Sequence, residues 1–528
     1  MDHTTTSTDT TSTLADSPRA GDSKPLAKAS SRSSVETTDF AGDLDLEGQI
    51  QGATRTQNGS GGQLDLQEKN GAPSSAKAGQ GALPATLAHD DPKNPRNWST
   101  GKKLLVNFVL CVWVLSLTYS STAYVASLPA LEARFHIGKE AAILGVSLMV
   151  FGFAAGPLLW GPASEMLGRR LVYIITGVCY TAFSFGAAFS PNAGGLLVFR
   201  FLIGFFGSAS INNVPASIGD YTSLAERGPY SILYALMAFG GPALGPLCSS
   251  FIESDVGFRW NLRVMAIFSG IMSLLAAFVP ETHGPTLLKW RIKKEGNAPP
   301  ALSTRQVVAV YKVALARPIV YLFTEPLVTL VCVFLSILYG CLYGFFEAFT
   351  VVYLEKRGMK STSYGLTCEW ALFRLNRSYL KAAKAAADRG EKTPPEARLT
   401  LAYPGAILAP ISLFIFAWTA PFPHIHWAVP CLAELLFGLS MLLIFTAFIP
   451  YLIDNMLSTA ASALAAGMAS RALVGGAFPL FALQMYHKLS VQGATSLLAG
   501  ITLCLAPIPF VFKRYGHKLR EKSKHAGL

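Results

Sequence analysis

Three ionisable side chains stand inside stretches that are otherwise apolar enough to cross a membrane. Arg200, Glu347 and Glu434 each interrupt a long apolar run. A charge at lipid depth is costly unless it faces a cavity or a partner, so each residue is a candidate for moving protons or binding a solute. For Arg200 the alternatives are a structural ion pair or a position near the helix end from which the side chain reaches the headgroups. For the two acids the alternative is a solvated position near a membrane face.

The composition defines the class of protein that carries these residues. Of its 528 residues, 51% are hydrophobic and 14% are charged, whereas soluble globular proteins carry about 25% charged residues. The sequence therefore predicts an all-α, polytopic membrane protein. The net charge of +12 lies in loops between apolar runs, which indicates membrane topology and not a nucleic-acid partner. The eight cysteines show no C-x-x-C spacing, which favours buried thiols over disulfides or metal ligands.

Apolar runs and basic loops together predict the domain organisation. Six runs lie in the first half and five in the second: 104–128, 141–160, 171–189, 194–214, 232–252 and 262–279, then 327–353, 401–420, 428–453, 463–486 and 494–512. Basic residues follow spans 2, 4 and 6 and the last span, so those segments are predicted to be cytoplasmic. We expect a disordered tail (1–100), a first bundle (101–280), a cytoplasmic central loop (281–318), a second bundle (319–514) and a basic tail (515–528).

One crossing is missing from this count, in the second half. The only apolar piece between spans 7 and 9 is 363–373, roughly half the length that a crossing needs. The sequence thus predicts that span 8 is shortened or absent, and a lost exon is the favoured explanation. A true eleven-span variant and a short crossing that thins the bilayer are the alternatives.

The loop between spans 2 and 3 carries a distinctive pattern. Glycines that let two helix ends approach, an acid and a basic pair occur within thirteen residues: Gly161, Glu165, Gly168, Arg169 and Arg170. This pattern resembles the corresponding loop of the major facilitator superfamily. Asp220, Glu226 and Arg227 resemble the family's loop between spans 4 and 5. Together the two loops are predicted to form a cytoplasmic charge network that gates the transport cycle, with a merely solvated loop as the alternative.

Two further motifs resemble those of this superfamily, and one of them indicates a branch of it, the drug:proton antiporters. The run around Arg200 is similar to the family's span-4 motif, whose arginine is associated with proton coupling. Span 5 contains a dense glycine and proline run that resembles the motif of drug:proton antiporters, although serines replace its last glycine pair. The motif positions are Gly241, Pro242, Gly245 and Pro246.

The resemblance to fungal drug:proton antiporters implies a fold and a function. The fold would be two six-helix bundles of the major facilitator type, with a central site that opens alternately to each side. The function would be proton-coupled efflux of small hydrophobic or cationic compounds such as drugs, fungicides or secondary metabolites. Proton-coupled uptake of polyamines or another nutrient, and a non-transporting sensor or scaffold if span 8 is lost, are the alternatives.

The remaining expectations concern partners and the lining of the central site. The chain is expected to be monomeric in the plasma membrane, or else the vacuolar membrane, with protons and a small molecule as partners. No cofactor or metal is expected, since no Walker A run or catalytic arrangement occurs and His424 and His426 are too weak a metal signal. The candidate cavity residues are Tyr119, Tyr124, Asn212, Asn213, Tyr339, Tyr343, Phe478 and Phe481.

Overall fold

The computed structural model describes most of the chain after the N-terminal tail. The described residues are 91–223, 226–296, 303–349, 351–352, 399–456 and 460–522. Residues 1–90 of the predicted disordered tail lie outside these ranges. The short apolar piece 363–373, on which the lost-exon hypothesis depends, also lies outside them. Within these ranges the secondary structure is helical, with no strand.

Within the described residues, the first half contains six long α-helices and two short ones. They are α1 (Thr100–Ala123), α2 (Leu128–Phe135), α3 (Lys139–Leu167), α4 (Arg169–Ala188), α5 (Ala193–Tyr221), α6 (Arg227–Val256), α7 (Phe258–Ala277) and α8 (Gly284–Lys294). The long helices correspond to the six predicted apolar runs.

The second half, within the described residues, contains six helices. They are α9 (Thr304–Thr324), α10 (Pro326–Phe349), α11 (Ala402–Thr419), α12 (Ala428–Asn455), α13 (Ala460–Leu505) and α14 (Ile508–Lys522). Helix α13 passes through a non-helical residue, Ser490, with φ 61° and ψ 164°. Its two parts coincide with the last two predicted runs. Helix α9 occupies the end of the predicted central loop and continues past it.

The long helices have the length and apolar composition that a membrane crossing needs. Eleven segments of the described chain are long and apolar enough to cross a bilayer, and one of them, 462–516, is 55 residues long. Helix α9 is among the eleven but is the least buried of them. The prediction of an all-α, multi-pass membrane protein is confirmed.

Small residues allow the helices to pack closely within each half. Helix α1 packs on α6, α3 on α5 and α4 on α7, while α10 packs on α13 and α11 on α12. At the α3–α5 contact, a Cβ on Gly204 would overlap the carbonyl oxygen of Met149. Such close backbone approach is typical of membrane helices, where packing replaces the hydrophobic effect as the source of association. The largest contact between the halves joins α3 and α13.

Candidate functional site

Arg200 lies in the first third of α5, and its side chain is 1% exposed. Its guanidinium donates to three backbone carbonyls: Nε to Gly145 at 3.0 Å, Nη1 to Ser120 at 2.9 Å and Nη2 to Ser121 at 3.3 Å. The guanidinium carbon also lies 4.4 Å from the centre of the Tyr124 ring. These contacts solvate a charge that would otherwise be costly at this depth. No described carboxylate forms an ion pair with it.

The surroundings of Arg200 extend into the second half through Ser121. The Ser121 carbonyl accepts from Arg200, and its hydroxyl oxygen lies 3.4 Å from the Tyr343 hydroxyl, which donates to it. Tyr343 stands on α10, and its ring centre is 5.1 Å from that of Tyr339. A residue predicted to couple protons therefore lies two contacts away from the facing bundle.

The two predicted intramembrane acids are placed less completely. Glu434 lies on α12 and is 9% exposed. Glu347 belongs to α10, but its side chain lies outside the described residues. Neither is brought against Arg200 by a described contact, so their share in proton coupling stays a prediction.

A network of charges joins the predicted cytoplasmic ends of α3, α4 and α5 to the segment that follows α7. The Arg169 Nε lies 3.3 Å from Asp220 Oδ2, and Arg169 also donates to the hydroxyl of Ser164. The Glu281 carboxylate accepts from the backbone N–H groups of Arg169 at 3.0 Å and Arg170 at 3.1 Å. Those groups open α4, where a helix leaves N–H groups unpaired and favours a negative charge.

Gly168 is the residue that lets Glu281 reach the start of α4. Its φ is +96°, a backbone conformation that favours glycine. A Cβ at this position would also lie 2.5 Å from Glu281 Oε2. Gly168 is thus required for two reasons: the turn needs its positive φ, and the Glu281 carboxylate occupies the space that a Cβ would need.

The other predicted members of the network lie around this centre. Lys103 Nζ lies 3.1 Å from Glu226 Oε2, and this contact lowers the pKa of the Glu226 carboxyl. Arg227 Nη2 donates to the Gly219 carbonyl at 3.4 Å. Glu165 is exposed, and it has no hydrogen-bond or ion-pair partner within the described ranges.

Asn212 and Asn213, predicted to line the cavity, contact residues near the end of α3. Asn213 Oδ1 accepts from Ser164 at 3.3 Å and from Asn212 Nδ2 at 3.0 Å. The Asn212 Nδ2 also lies 3.2 Å from where a Cβ of Gly161 would stand. Both asparagines thus support the end of α3, next to the network residue Ser164.

The glycines of the span-5 motif face α1. A Cβ on Gly241 would overlap Thr118 Oγ1 and lie 2.7 Å from the Tyr119 nitrogen, and a Cβ on Gly245 would lie 2.8 Å from the Ala123 nitrogen. Pro242 and Pro246 are buried in the same helix. The motif therefore serves the contact between α1 and α6.

The candidate cavity residues fall into different surroundings. Tyr119 is 7% exposed and meets Phe268 with ring centres 5.9 Å apart. Phe478 packs against Gly340 on α10 and lies 5.0 Å from Phe481, which is 43% exposed. Tyr339 and Tyr343 adjoin each other near the junction of the halves, whereas Tyr124 lies beneath Arg200.

Comparison with known proteins identifies the family. Residues 108–479 match the family model described as Major Facilitator Superfamily. The chain belongs to the major facilitator superfamily. As expected from the sequence, it is a multi-pass membrane transporter and not an enzyme.

Fungal members of the superfamily are similar over most of the chain. Efflux pump FUB11 of Gibberella moniliformis is 38% identical over 461 residues, which cover 83% of this chain and 76% of the relative. The major facilitator superfamily multidrug transporter mdrA of Aspergillus fumigatus is 36% identical over 457 residues, covering 83% and 75%. Among solved structures, the proton:xylose symporter XylE aligns with TM-score 0.57 and 16% identity over 79% of this chain and 96% of its own. The predicted fold is confirmed.

Two residues of this major facilitator protein were absent from the predicted network and cavity. Glu281 was not among the predicted network residues, and its carboxylate accepts from four backbone N–H groups that only folding brings to it. Arg471 stands inside the apolar run 463–486, so the rule that singled out Arg200 could have found it. Its guanidinium carbon lies 5.0 Å from the Phe445 ring centre and 5.6 Å from that of Tyr339.

Proposed function

We propose that this transporter exports small, largely hydrophobic compounds, such as drugs, fungicides or secondary metabolites, in exchange for protons. Its relatives, which are similar over 83% of this chain, are named efflux pump and multidrug transporter. These names support export as the direction of transport. The span-5 run that resembles the antiporter motif supports exchange against protons. The plasma membrane is the proposed location and a monomer the proposed state.

The observation that carries coupling is the position of Arg200. It is buried at lipid depth, and it holds the carbonyl of Ser121, the residue that meets Tyr343 of the other half. A proton taken up by Glu347 or Glu434 would change the charge within the membrane-spanning helices. Movement of α1 or α5 would then alter the junction between the bundles, which is the step that alternating access requires.

Two of the contacts between the halves join α3 to α13. Gln484 Nε2 lies 2.5 Å from Glu140 Oε1, and the Phe151 ring lies against Gly476. Both contacts join α13 to the half of α3 that is predicted to be extracellular. At the cytoplasmic end, Arg169 and Asp220 take their described partners from the first half. We therefore assign the charge network a role in holding the first bundle together while it rocks.

The test uses purified protein in liposomes with an imposed proton gradient. We expect Arg200→Ala to abolish gradient-driven transport of a fluorescent hydrophobic drug, while surface expression in cells stays intact. Arg200→Lys keeps the charge but loses the planar fork that reaches three carbonyls, so transport should be weakened and not lost. Normal transport by Arg200→Ala would refute the coupling role. Inward movement of the drug with the proton gradient would favour uptake, and no movement in wild type would favour a sensor or scaffold.

A further inference from the structure

Two arginines lie at lipid depth among the described residues of the bundles' facing helices, and they differ in what surrounds them. The guanidinium of Arg200 has protein partners on all sides, because it donates to three carbonyls and lies against the Tyr124 ring. Arg471 is half-buried, and its one hydrogen-bond acceptor within the described chain is the thioether sulfur of Met468. A thioether is a weak acceptor that carries no charge. The positive charge of Arg471 is therefore not neutralised by any described residue.

The position of Arg471 is central. It lies eleven residues after Ala460, where α13 begins, or roughly 16 Å along a helix axis, about half the thickness of a bilayer core. Its aromatic neighbours Tyr339 and Phe445 come from α10 and α12. Phe445 in turn meets Phe239 of α6, with ring centres 5.2 Å apart. A first-half helix therefore contacts Phe445, one of the two rings that lie against this arginine.

The chemistry of this place favours an anion. An uncompensated charge at mid-membrane is unfavourable, and a carboxylate that pairs with it through two parallel N–H groups removes the penalty. A guanidinium held against aromatic rings keeps its in-plane N–H groups available for such a pair. The same rings offer a flat apolar surface to the body of a ligand. A cation would instead meet like charge, which opposes the expectation of cationic substrates drawn from the sequence.

We propose that Arg471, with the ring surfaces of Tyr339 and Phe445, binds the carboxylate of an aromatic organic acid. The proposal rests on the proposed export function and specifies its substrate class. Arg471 recognises the carboxylate, and the two rings hold the apolar body. Neutral hydrophobic compounds enter the same site without the ion pair and therefore bind more weakly.

The test compares three probes that share one ring system: naphthoate, naphthamide and naphthylmethylammonium. Binding to the purified full-length protein in lipid nanodiscs is measured by calorimetry. We expect wild type to bind naphthoate about tenfold more tightly than naphthamide, a difference of about 1.4 kcal/mol, and naphthylmethylammonium most weakly. Arg471→Gln should lose the tenfold preference while its affinity for naphthamide stays within about twofold. Arg471→Lys should keep part of the preference, since the charge remains without the fork.

Arg263 provides a matched control. It is also half-buried and also touches two aromatic rings, Phe189 at 5.3 Å and Trp260 at 5.0 Å. It lies near the start of α7, away from the junction of the halves. Arg263→Gln should therefore leave the order of the three probes unchanged.

Two results would overturn the proposal. One is a wild-type protein that binds the ammonium probe as tightly as naphthoate, which needs no variant and so does not depend on folding. The other is an Arg471→Gln protein that retains the wild-type preference for naphthoate. Failure of the export function is recognised separately: wild type would then bind naphthoate through Arg471 but move no compound in liposomes under a proton gradient.

Discussion

Adjacent glycines on α6 give a direct test of the contact that the span-5 motif makes with α1. A Cβ on Gly241 would overlap Thr118 Oγ1 and lie 2.7 Å from the backbone nitrogen of Tyr119, whereas a Cβ on Gly240 would meet nothing within 4 Å. Gly241→Ala should therefore destabilise the protein relative to Gly240→Ala. Because both changes add one methyl group to the same helix, the gain in helix propensity, about 1 kcal/mol each, cancels in the comparison.

The magnitude follows from the atoms that would be overlapped. Overpacking a well-packed site costs about 1–3 kcal/mol. The Thr118 hydroxyl can rotate away, but the Tyr119 nitrogen belongs to the backbone of α1 and can move only if the helix moves. We therefore expect a difference of about 3 kcal/mol, or about 3 °C in Tm for a chain of this length.

Thermal unfolding with a thiol-reactive dye measures this difference. The protein carries buried free cysteines, such as Cys111 and Cys341, both 0% exposed, which become reactive only on unfolding. Adding Thr118→Ala to Gly241→Ala should restore part of the loss, since it removes the nearest of the three atoms that the added Cβ would crowd, and a double-mutant cycle isolates that part. Equal unfolding temperatures for Gly240→Ala and Gly241→Ala would refute the packing argument.

Two further predictions concern the cytoplasmic end of the first half. Glu281→Gln removes the charge that two N–H groups at the start of α4 require, so it should lower the free energy of unfolding by about 2–3 kcal/mol. Glu165 is exposed, so Glu165→Gln should change the unfolding temperature little. Similar losses of stability for both variants would contradict this prediction. Burial, and secondarily the charge of Arg169, lowers the pKa of His283 from 6.5 to about 4. The unfolded chain then binds a proton in this window that the folded chain does not, so stability should fall as the pH drops from 6.5 towards 4. His283→Gln should flatten that dependence of Tm on pH, and an unchanged slope would exclude this assignment.

The sequence alone determined the membrane architecture, because hydropathy and the distribution of basic residues are local properties. A run of about 20 apolar residues is long enough to cross the bilayer core, whichever helices it packs against. The same local reasoning marked Arg200 as functional, since a charge in an apolar run is costly in any fold. Motif spacing identified the superfamily before any contact was known.

Tertiary structure decided what each of these residues touches. Arg200 was predicted to couple protons, and the structure shows that carbonyls of α1 and α3 hold its guanidinium. Asn212 and Asn213 were expected in the cavity, yet they contact the end of α3. The rings of Tyr339 and Phe445, from α10 and α12, come together at Arg471 only in the folded chain. These contacts join residues up to hundreds of positions apart, and which helix faces meet depends on packing between helices, which no local pattern in the chain encodes.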